Sequence, residues 1–179
     1  MHRSRFQLVP CAVALAATAA VAQVPPIKSG LWQLQTERSV DGRKAPDMNE
    51  RMKSMSPAAR QRMEAMMKQQ GVDTSGGGTR LCMTREMLDQ GRWHDTSPRC
   101  KVDFSTRSAS AWKWRSVCTQ PDSTGEGEAA FHSPESYTVT SNTTMMLKGQ
   151  TRTSTNVIKM QWLGAACGDV KPLQLKPKS

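Results

Sequence analysis

The sequence predicts a mainly β, β-rich α+β fold: a curled antiparallel meander sheet or open barrel with one methionine-rich helix, a short helix and two disulfides. Segments with strand character follow one another from Cys100 to Trp162 with tight turns between them, which is typical of a meander. A methionine-rich segment between Ala45 and Gly71 interrupts the strand pattern with helical spacing. Four of the five cysteines follow the N-terminal segment, and an even number of cysteines in an exported chain indicates disulfides.

The first 22 residues have the features of a secretory signal peptide. His2-Arg3-Ser4-Arg5 is basic, residues 9–21 are apolar or small, and Ala20-Val21-Ala22 is a pattern that signal peptidase accepts. The apolar run is shorter than the roughly 20 residues that a membrane span needs. We therefore predict export to the periplasm or secretion, with cleavage near Ala22.

The remaining chain is predicted to form a single disulfide-stapled β-rich domain over residues 23–170, followed by a basic flexible tail over residues 171–179. The full chain has a net charge of +10. Such a charge favours nucleic acid as a partner in the cytoplasm, but export argues against that partner. A solvated basic surface or contact with an anionic envelope surface is the expectation that fits export.

The first half of the domain is predicted to contain a strand and then helices. Residues 32–40 alternate apolar and polar side chains, which is typical of a half-buried strand, and Asp41-Gly42 would turn it. Asp47 with Glu50 resembles a capping box. Ser56-Pro57 predicts the start of the methionine-rich helix, residues 57–70, because serine caps a helix and proline suits its first position.

The second half is predicted to be a short strand, a short helix and the meander. Leu81–Met83 forms the strand, and Thr84 can cap a helix over residues 85–90. The hairpin of the meander has apolar residues at alternate positions, and one register that faces them inward sets Phe104 opposite Trp114. That register also sets Cys100 opposite Cys118. Three further strands are predicted near residues 125–131, 137–147 and 151–162.

The pairing of the four cysteines is not fixed by these patterns. Four cysteines allow three connectivities, and the hairpin register keeps a Cys100–Cys118 bridge as one of them. The cysteines concerned are Cys82, Cys100, Cys118 and Cys167.

Several motifs occur in a characteristic order along the chain. They are Gly30-Leu31-Trp32, Ser56-Pro57 with Met63-Glu64-Ala65-Met66-Met67, Cys82-Met83-Thr84, Trp114 with Cys118, Gly125-x-Gly127, Tyr137, and Gly164 with Cys167-Gly168-Asp169. In these motifs the chain resembles the DUF3617 family, exported bacterial proteins of unknown function. The resemblance covers about residues 26–169. It implies a bacterial envelope location, and it favours pairing of neighbouring cysteines, Cys82–Cys100 and Cys118–Cys167. It implies no catalytic residues. One departure is Gly168, which separates the last cysteine from Asp169.

The candidate ligand or partner surface combines Met63, Met66 and Met67 of the helix with Trp112 and Trp114 of the hairpin. Methionine is an adaptable apolar residue, so the helix can pack on the sheet or cover an apolar pocket. Thioether sulfur is also a soft ligand for Cu(I), so the same three methionines are an alternative metal site.

The sequence favours a non-catalytic binding or interaction module for an apolar ligand or an envelope partner, with no cofactor. It has no Gly-x-Ser-x-Gly elbow and no Cys-x-x-Cys motif. Past the signal peptide its histidines are His94 and His132. The alternatives are Met-mediated Cu(I) binding or copper tolerance, and an envelope hydrolase that would need one of these histidines in a pocket.

Overall fold

The computed structural model describes residues 24–75, 78–90 and 99–174. The predicted signal peptide, His94 and the last five residues of the predicted tail lie outside this described part. Within it, nine strands form one sheet together with three helices. The strands are β1 (Gly30–Val40), β2 (Arg43–Ala45), β3 (Val72–Asp73), β4 (Thr79–Met83), β5 (Cys100–Arg107), β6 (Ala111–Cys118), β7 (Ser123–Ser133), β8 (Ser136–Leu147) and β9 (Gln150–Gly164), and the helices are α1 (Met48–Lys53), α2 (Pro57–Gln69) and α3 (Arg85–Asp89).

The sheet order is β3-β4-β1-β9-β8-β7-β6-β5, with β2 paired to β1. The strands β5 to β9 pair in chain order, so the predicted antiparallel meander is confirmed. The last strand then pairs along its length with the first, from Gly164 opposite Leu31 to Ser154 opposite Val40. The sheet curls without closing, and the fold is the predicted mainly β class with two disulfides.

The core lies on the inner face of the curled sheet. Trp32 of β1 is fully buried and packs edge-on against Tyr137 of β8, with ring centroids 5.2 Å apart. Such an edge-to-face pair contributes about 0.5–1.5 kcal/mol beyond the burial of its area. The side chains at alternate positions of each strand join this cluster, as the period of two requires. The buried cluster is Ile27, Trp32, Leu81, Met83, Leu88, Trp112, Ala129, Phe131, Tyr137 and Met160.

The helices begin where the sequence places them. Asp47 and Glu50 form both halves of the capping box of α1, and the Ser56 hydroxyl accepts the Ala59 amide at the start of α2. Thr84 caps α3 through the Met87 amide. Because α2 buries only Met67, it contributes one anchoring side chain to the molecule rather than a broad apolar face.

The disulfides are Cys82–Cys167 and Cys100–Cys118. The pairing favoured by the family resemblance, Cys82–Cys100 with Cys118–Cys167, is therefore wrong. Cys100 and Cys118 lie directly opposite in the β5–β6 hairpin, as the register alternative predicts. Cys82 lies in β4, near the other end of the sheet order. Because the chain returns to β4 after β9, it is Cys167 that comes within reach of Cys82.

The segment after Cys167 is held against β4. Pro172 forms a parallel bridge with Cys82, and the Leu173 amide donates to the Cys82 carbonyl. The Gln174 amide donates to the carbonyl of Gln70 at the end of α2. Residues 172–174 thus have backbone partners in β4 and at the end of α2. The flexibility of residues 171–179 stays a prediction.

Candidate functional site

The inner face of the sheet carries an apolar cavity of about 450 Å³. This volume lies within the range of about 300–1,000 Å³ that is usual for small-molecule sites. Its lining comes from both ends of the sheet order and from the strands between them. The lining residues are Leu34, Leu81, Met83, Cys100, Val102, Phe104, Trp114, Ser116, Cys118, Tyr137, Val139, Ile158, Met160 and Leu173.

One wall of the apolar cavity is the β5–β6 hairpin. Phe104 lies opposite Trp114, and the Cys100–Cys118 disulfide closes the hairpin at its open end. The Trp114 indole lies against the backbone of Gly127 in β7, where an added Cβ would come within 2.3 Å of the ring. A side chain at that position would push the ring away. Gly127 therefore sets how far Trp114 stands from the β7 backbone.

Trp112 stands beside this wall but belongs to the core. It is 3% exposed, and its indole N–H donates to the Ser108 carbonyl at 3.1 Å. Its ring packs edge-on against Phe104 and Phe131 at 5.8 and 6.0 Å between centroids. The Arg107 guanidinium lies 4.0 Å from the Phe104 ring centre, so a cation–π contact covers the outer end of this aromatic cluster.

The opposite wall consists of Leu81 and Met83 of β4 with Leu173 from the segment after β9. This wall is fixed by the Cys82–Cys167 disulfide and by the hydrogen bond from Leu173 to Cys82. Tyr137 forms part of the floor, and its burial raises the pKa of the phenol. The phenol is therefore neutral at physiological pH.

A second, larger concavity continues the inner face past the apolar cavity. This polar groove, about 1,000 Å³ in volume, is lined by β1, β8 and β9 together with α1, Met67 of α2 and the turn around Val72. Leu34 lines both spaces, so they meet at this side chain. The inward positions of the groove are largely polar: Thr36, Arg38, Ser141, Thr143, Ser154 and Asn156.

The charged side chains of the polar groove differ in whether they are already paired. The Asp47 carboxylate accepts the Glu50 amide in the capping box. Glu37 accepts a hydrogen bond from Lys159 at 2.8 Å, and this bond with the lysine charge lowers the pKa of Glu37. Arg38 bonds through Nε to the Ser154 hydroxyl at 3.3 Å. The acids of the groove are therefore engaged with neighbours within the protein.

The structure does not bring the predicted methionine and tryptophan residues together. Trp114 lines the apolar cavity, whereas Met67 is buried and lines the polar groove. Met66 is 48% exposed, and Met63 is partly buried. The three thioethers lie in different surroundings, and Cu(I) binding by them stays a prediction.

The predicted alternative of an envelope hydrolase needs His94 or His132 in a pocket, and His94 lies outside the described residues. His132 is exposed, and its Nε2 is 3.0 Å from the Thr138 hydroxyl. It is absent from the linings of both the apolar cavity and the polar groove. Within residues 24–75, 78–90 and 99–174, no three of the His, Cys, Asp and Glu side chains form a group that could hold a metal.

Several cavity residues were not predicted as site residues. The sequence predicts Val139, Ile158 and Met160 only as residues of strands, and Leu173 as part of the tail. Alternation along β8 and β9 shows which side chains share a face, but the contribution of Leu173 has no local signal. The polar groove was not predicted, since its lining combines strands distant in sequence.

Among the residues that the structure describes, no helix has both the length and the apolar character that a membrane crossing requires.

Comparison with known proteins identifies a family and one relative of known sequence. The profile of DUF3617, described as a protein of unknown function, matches residues 27–167. The chain therefore belongs to the DUF3617 family. It is 30% identical over 140 residues to a Pseudomonas putida protein described as an uncharacterized protein in the lpd-3 5′ region. The aligned residues cover 75% of this chain and 97% of that protein. No solved structure matches the chain.

Proposed function

We propose that this protein is exported and acts as a non-catalytic binding module that holds an acyl chain in the apolar cavity. The observation that carries the proposal is the cavity itself: about 450 Å³ lined by two aromatic side chains of the hairpin wall, aliphatic side chains and methionines. Several of its apolar side chains, among them Phe104, Trp114 and Ile158, are only partly buried. An apolar concavity that is left open to solvent is typical of a ligand-binding groove.

The lining favours an apolar occupant over ordered water. A buried water molecule needs two to four polar partners, and among the lining side chains the hydroxyls are those of Ser116 and Tyr137. At about 450 Å³ the cavity lies within the size range of small-molecule sites. A single acyl chain matches this volume and this lining.

The same lining argues for binding rather than catalysis. Ser116 lies among apolar side chains and the Cys100–Cys118 disulfide, and the lining includes no histidine, carboxylate or amine that could activate its hydroxyl. Burial raises the pKa of Tyr137, so the phenolate that could act as a base is not populated at neutral pH. The groups present can exclude water and bind an apolar chain.

Binding is tested with the protein recovered from the periplasm of a host that expresses the full chain. The probe is uncharged N-phenyl-1-naphthylamine, displaced by 1-dodecanol. We expect saturable fluorescence enhancement that dodecanol reverses. Val139→Trp, which fills the cavity, should weaken probe binding at least tenfold. Val117→Trp is the matched control, because Val117 is 57% exposed on the outer face.

Folding of the variants is checked by circular dichroism and thermal unfolding, and Ile158→Phe serves as a second, smaller filling of the same cavity. Absence of saturable binding by the wild-type protein would contradict the proposal. So would probe affinity that is the same in wild type and in a folded cavity-filled variant.

Export is tested by the mass of the recovered protein. Cleavage after Ala22 predicts a periplasmic protein that begins at Gln23. A full-length chain that stays in the cytoplasmic fraction of a host with a working secretion system would contradict export.

A further inference from the structure

We infer that the ligand is a single-chain lipid with an anionic headgroup, whose acyl chain lies in the apolar cavity and whose headgroup is bound in the polar groove by Arg38 and Arg51. This inference rests on the proposed function and adds the class of ligand. The observation that motivates it is that the two spaces meet at Leu34. The inner face therefore offers an apolar surface and a polar surface side by side.

Arg38 stands on the same face as Leu34, four residues further along β1. At about 3.3 Å per residue, this places its Cα about 13 Å beyond that of Leu34. Thr36 is the inward residue between them, so the face changes from apolar to polar and then to cationic within one strand. Across the sheet, Arg38 lies opposite Asn156, which lies opposite Ser141. Both supply polar side chains to the same groove.

The guanidinium of Arg38 is only partly used within the protein. Its Nε donates to the Ser154 hydroxyl, and among the described residues no hydrogen bond or ion pair involves either of its Nη groups. A guanidinium presents five donors in a planar fork that suits carboxylate and phosphate. The bond to Ser154 limits how the side chain can rotate and leaves the two Nη groups for an anion.

Arg51 supplies the second cation from the last turn of α1, across the polar groove from the sheet. Neither a hydrogen bond nor an ion pair joins its side chain to another described residue. The two acids of the groove are engaged elsewhere: Asp47 caps α1, and Glu37 pairs with Lys159. The groove therefore has two cations available to a ligand and no carboxylate left unengaged, which favours an anionic headgroup over a neutral or cationic one.

The test compares amphiphiles that share one chain length and differ in the headgroup: dodecanoate, dodecyl phosphate, 1-dodecanol and dodecyltrimethylammonium. Dissociation constants are measured below the micelle concentration by displacement of N-phenyl-1-naphthylamine. We expect dodecanoate or dodecyl phosphate to bind about tenfold more tightly than dodecanol, and the cation to bind most weakly. The comparison of the two anions identifies the headgroup as carboxylate or phosphate.

The paired variant Arg38→Gln with Arg51→Gln should bring the anion within about threefold of dodecanol and leave the affinity for dodecanol unchanged. The charge-matched control is Arg115→Gln with Arg62→Gln, two exposed arginines that line neither the cavity nor the groove. It should keep the preference for the anion.

Equal affinity of the wild-type protein for dodecanol and both anions would overturn the inference, and so would an anion preference that survives in the Arg38/Arg51 variant. Both results leave dodecanol bound, and the proposed function would stand. Failure of every amphiphile to displace the probe would instead contradict the proposed function.

Discussion

The two walls of the apolar cavity differ in how far apart along the chain their residues lie. The hairpin wall joins β5 to β6 with a disulfide that spans 18 residues, whereas the opposite wall joins β4 to the segment after β9 with a disulfide that spans 85. Phe104 and Trp114 face each other through local pairing. Leu81 and Leu173 come together only when the whole sheet has formed. The comparison shows that one apolar cavity can combine a locally encoded wall with one that depends on the complete fold.

Removing the disulfides separately should have unequal effects on the two walls. In the loop-entropy account, a disulfide across 85 residues stabilises by about 4.5 kcal/mol and one across 18 residues by about 3 kcal/mol. We expect Cys82→Ala with Cys167→Ala to lower the free energy of unfolding more than Cys100→Ala with Cys118→Ala. Urea unfolding under oxidising conditions measures both.

The reverse order would show that native-state strain, not chain separation, decides the difference between the walls. The pairing itself is checked by mass spectrometry of unreduced peptides. A peptide that links Cys82 to Cys100 would contradict the structure.

A methyl group at Gly127 of β7 should displace Trp114 in the hairpin wall and leave the opposite wall unchanged. Gly127→Ala places a Cβ 2.3 Å from the Trp114 ring, which must move. We expect a loss of about 1–3 kcal/mol in the free energy of unfolding, as for other over-packed sites, and weaker binding of N-phenyl-1-naphthylamine. Gly164→Ala is the control, because nothing lies within 4 Å of its added Cβ. If both glycine variants bind the probe alike, the contact between Trp114 and Gly127 does not shape the cavity.

The smallest expected effect concerns β3 and β4 at the opposite wall, where acidic pH should lower the free energy of unfolding. Asp73 of β3 pairs with Arg80 of β4; burial alone would raise its pKa, but hydrogen bonds from Ser75 and the Arg80 charge lower the pKa overall. A carboxyl whose pKa is lowered by folding stabilises the protein at pH values above its unfolded-state pKa, which is about 4. This stabilisation is lost as the pH falls through the folded-state pKa.

We expect Asp73→Asn to cost about 0.5–1 kcal/mol at pH 7, since Arg80 is partly exposed, and less at pH 3. Chemical unfolding at the two pH values measures this difference. A cost that is the same at both would show that the charge of Asp73 does not stabilise the β3–β4 pair.

Features of the fold that depend on short segments could be predicted from the sequence, whereas contacts between distant segments could not. The Asp47 and Ser56 caps and the Phe104–Trp114 register are properties of short segments, and the structure confirms them. The Cys82–Cys167 bridge was missed because it depends on where the chain goes after its last strand. Of the predicted ligand surface, Trp114 lines the cavity, while Trp112 is core and Met67 faces the polar groove.

The sequence by itself determined the seven longer strands, the helix caps, the mainly β class and the side chains that share a strand face, because period, caps and turn residues act over a few positions. It did not predict the short strands β2 and β3. Only the tertiary structure decided that β9 lies beside β1, that Cys82 bonds to Cys167, and that Leu34 joins an apolar cavity to a groove carrying Arg38. The physical reason is that curvature and strand order bring together residues whose spacing along the chain has no periodic signal.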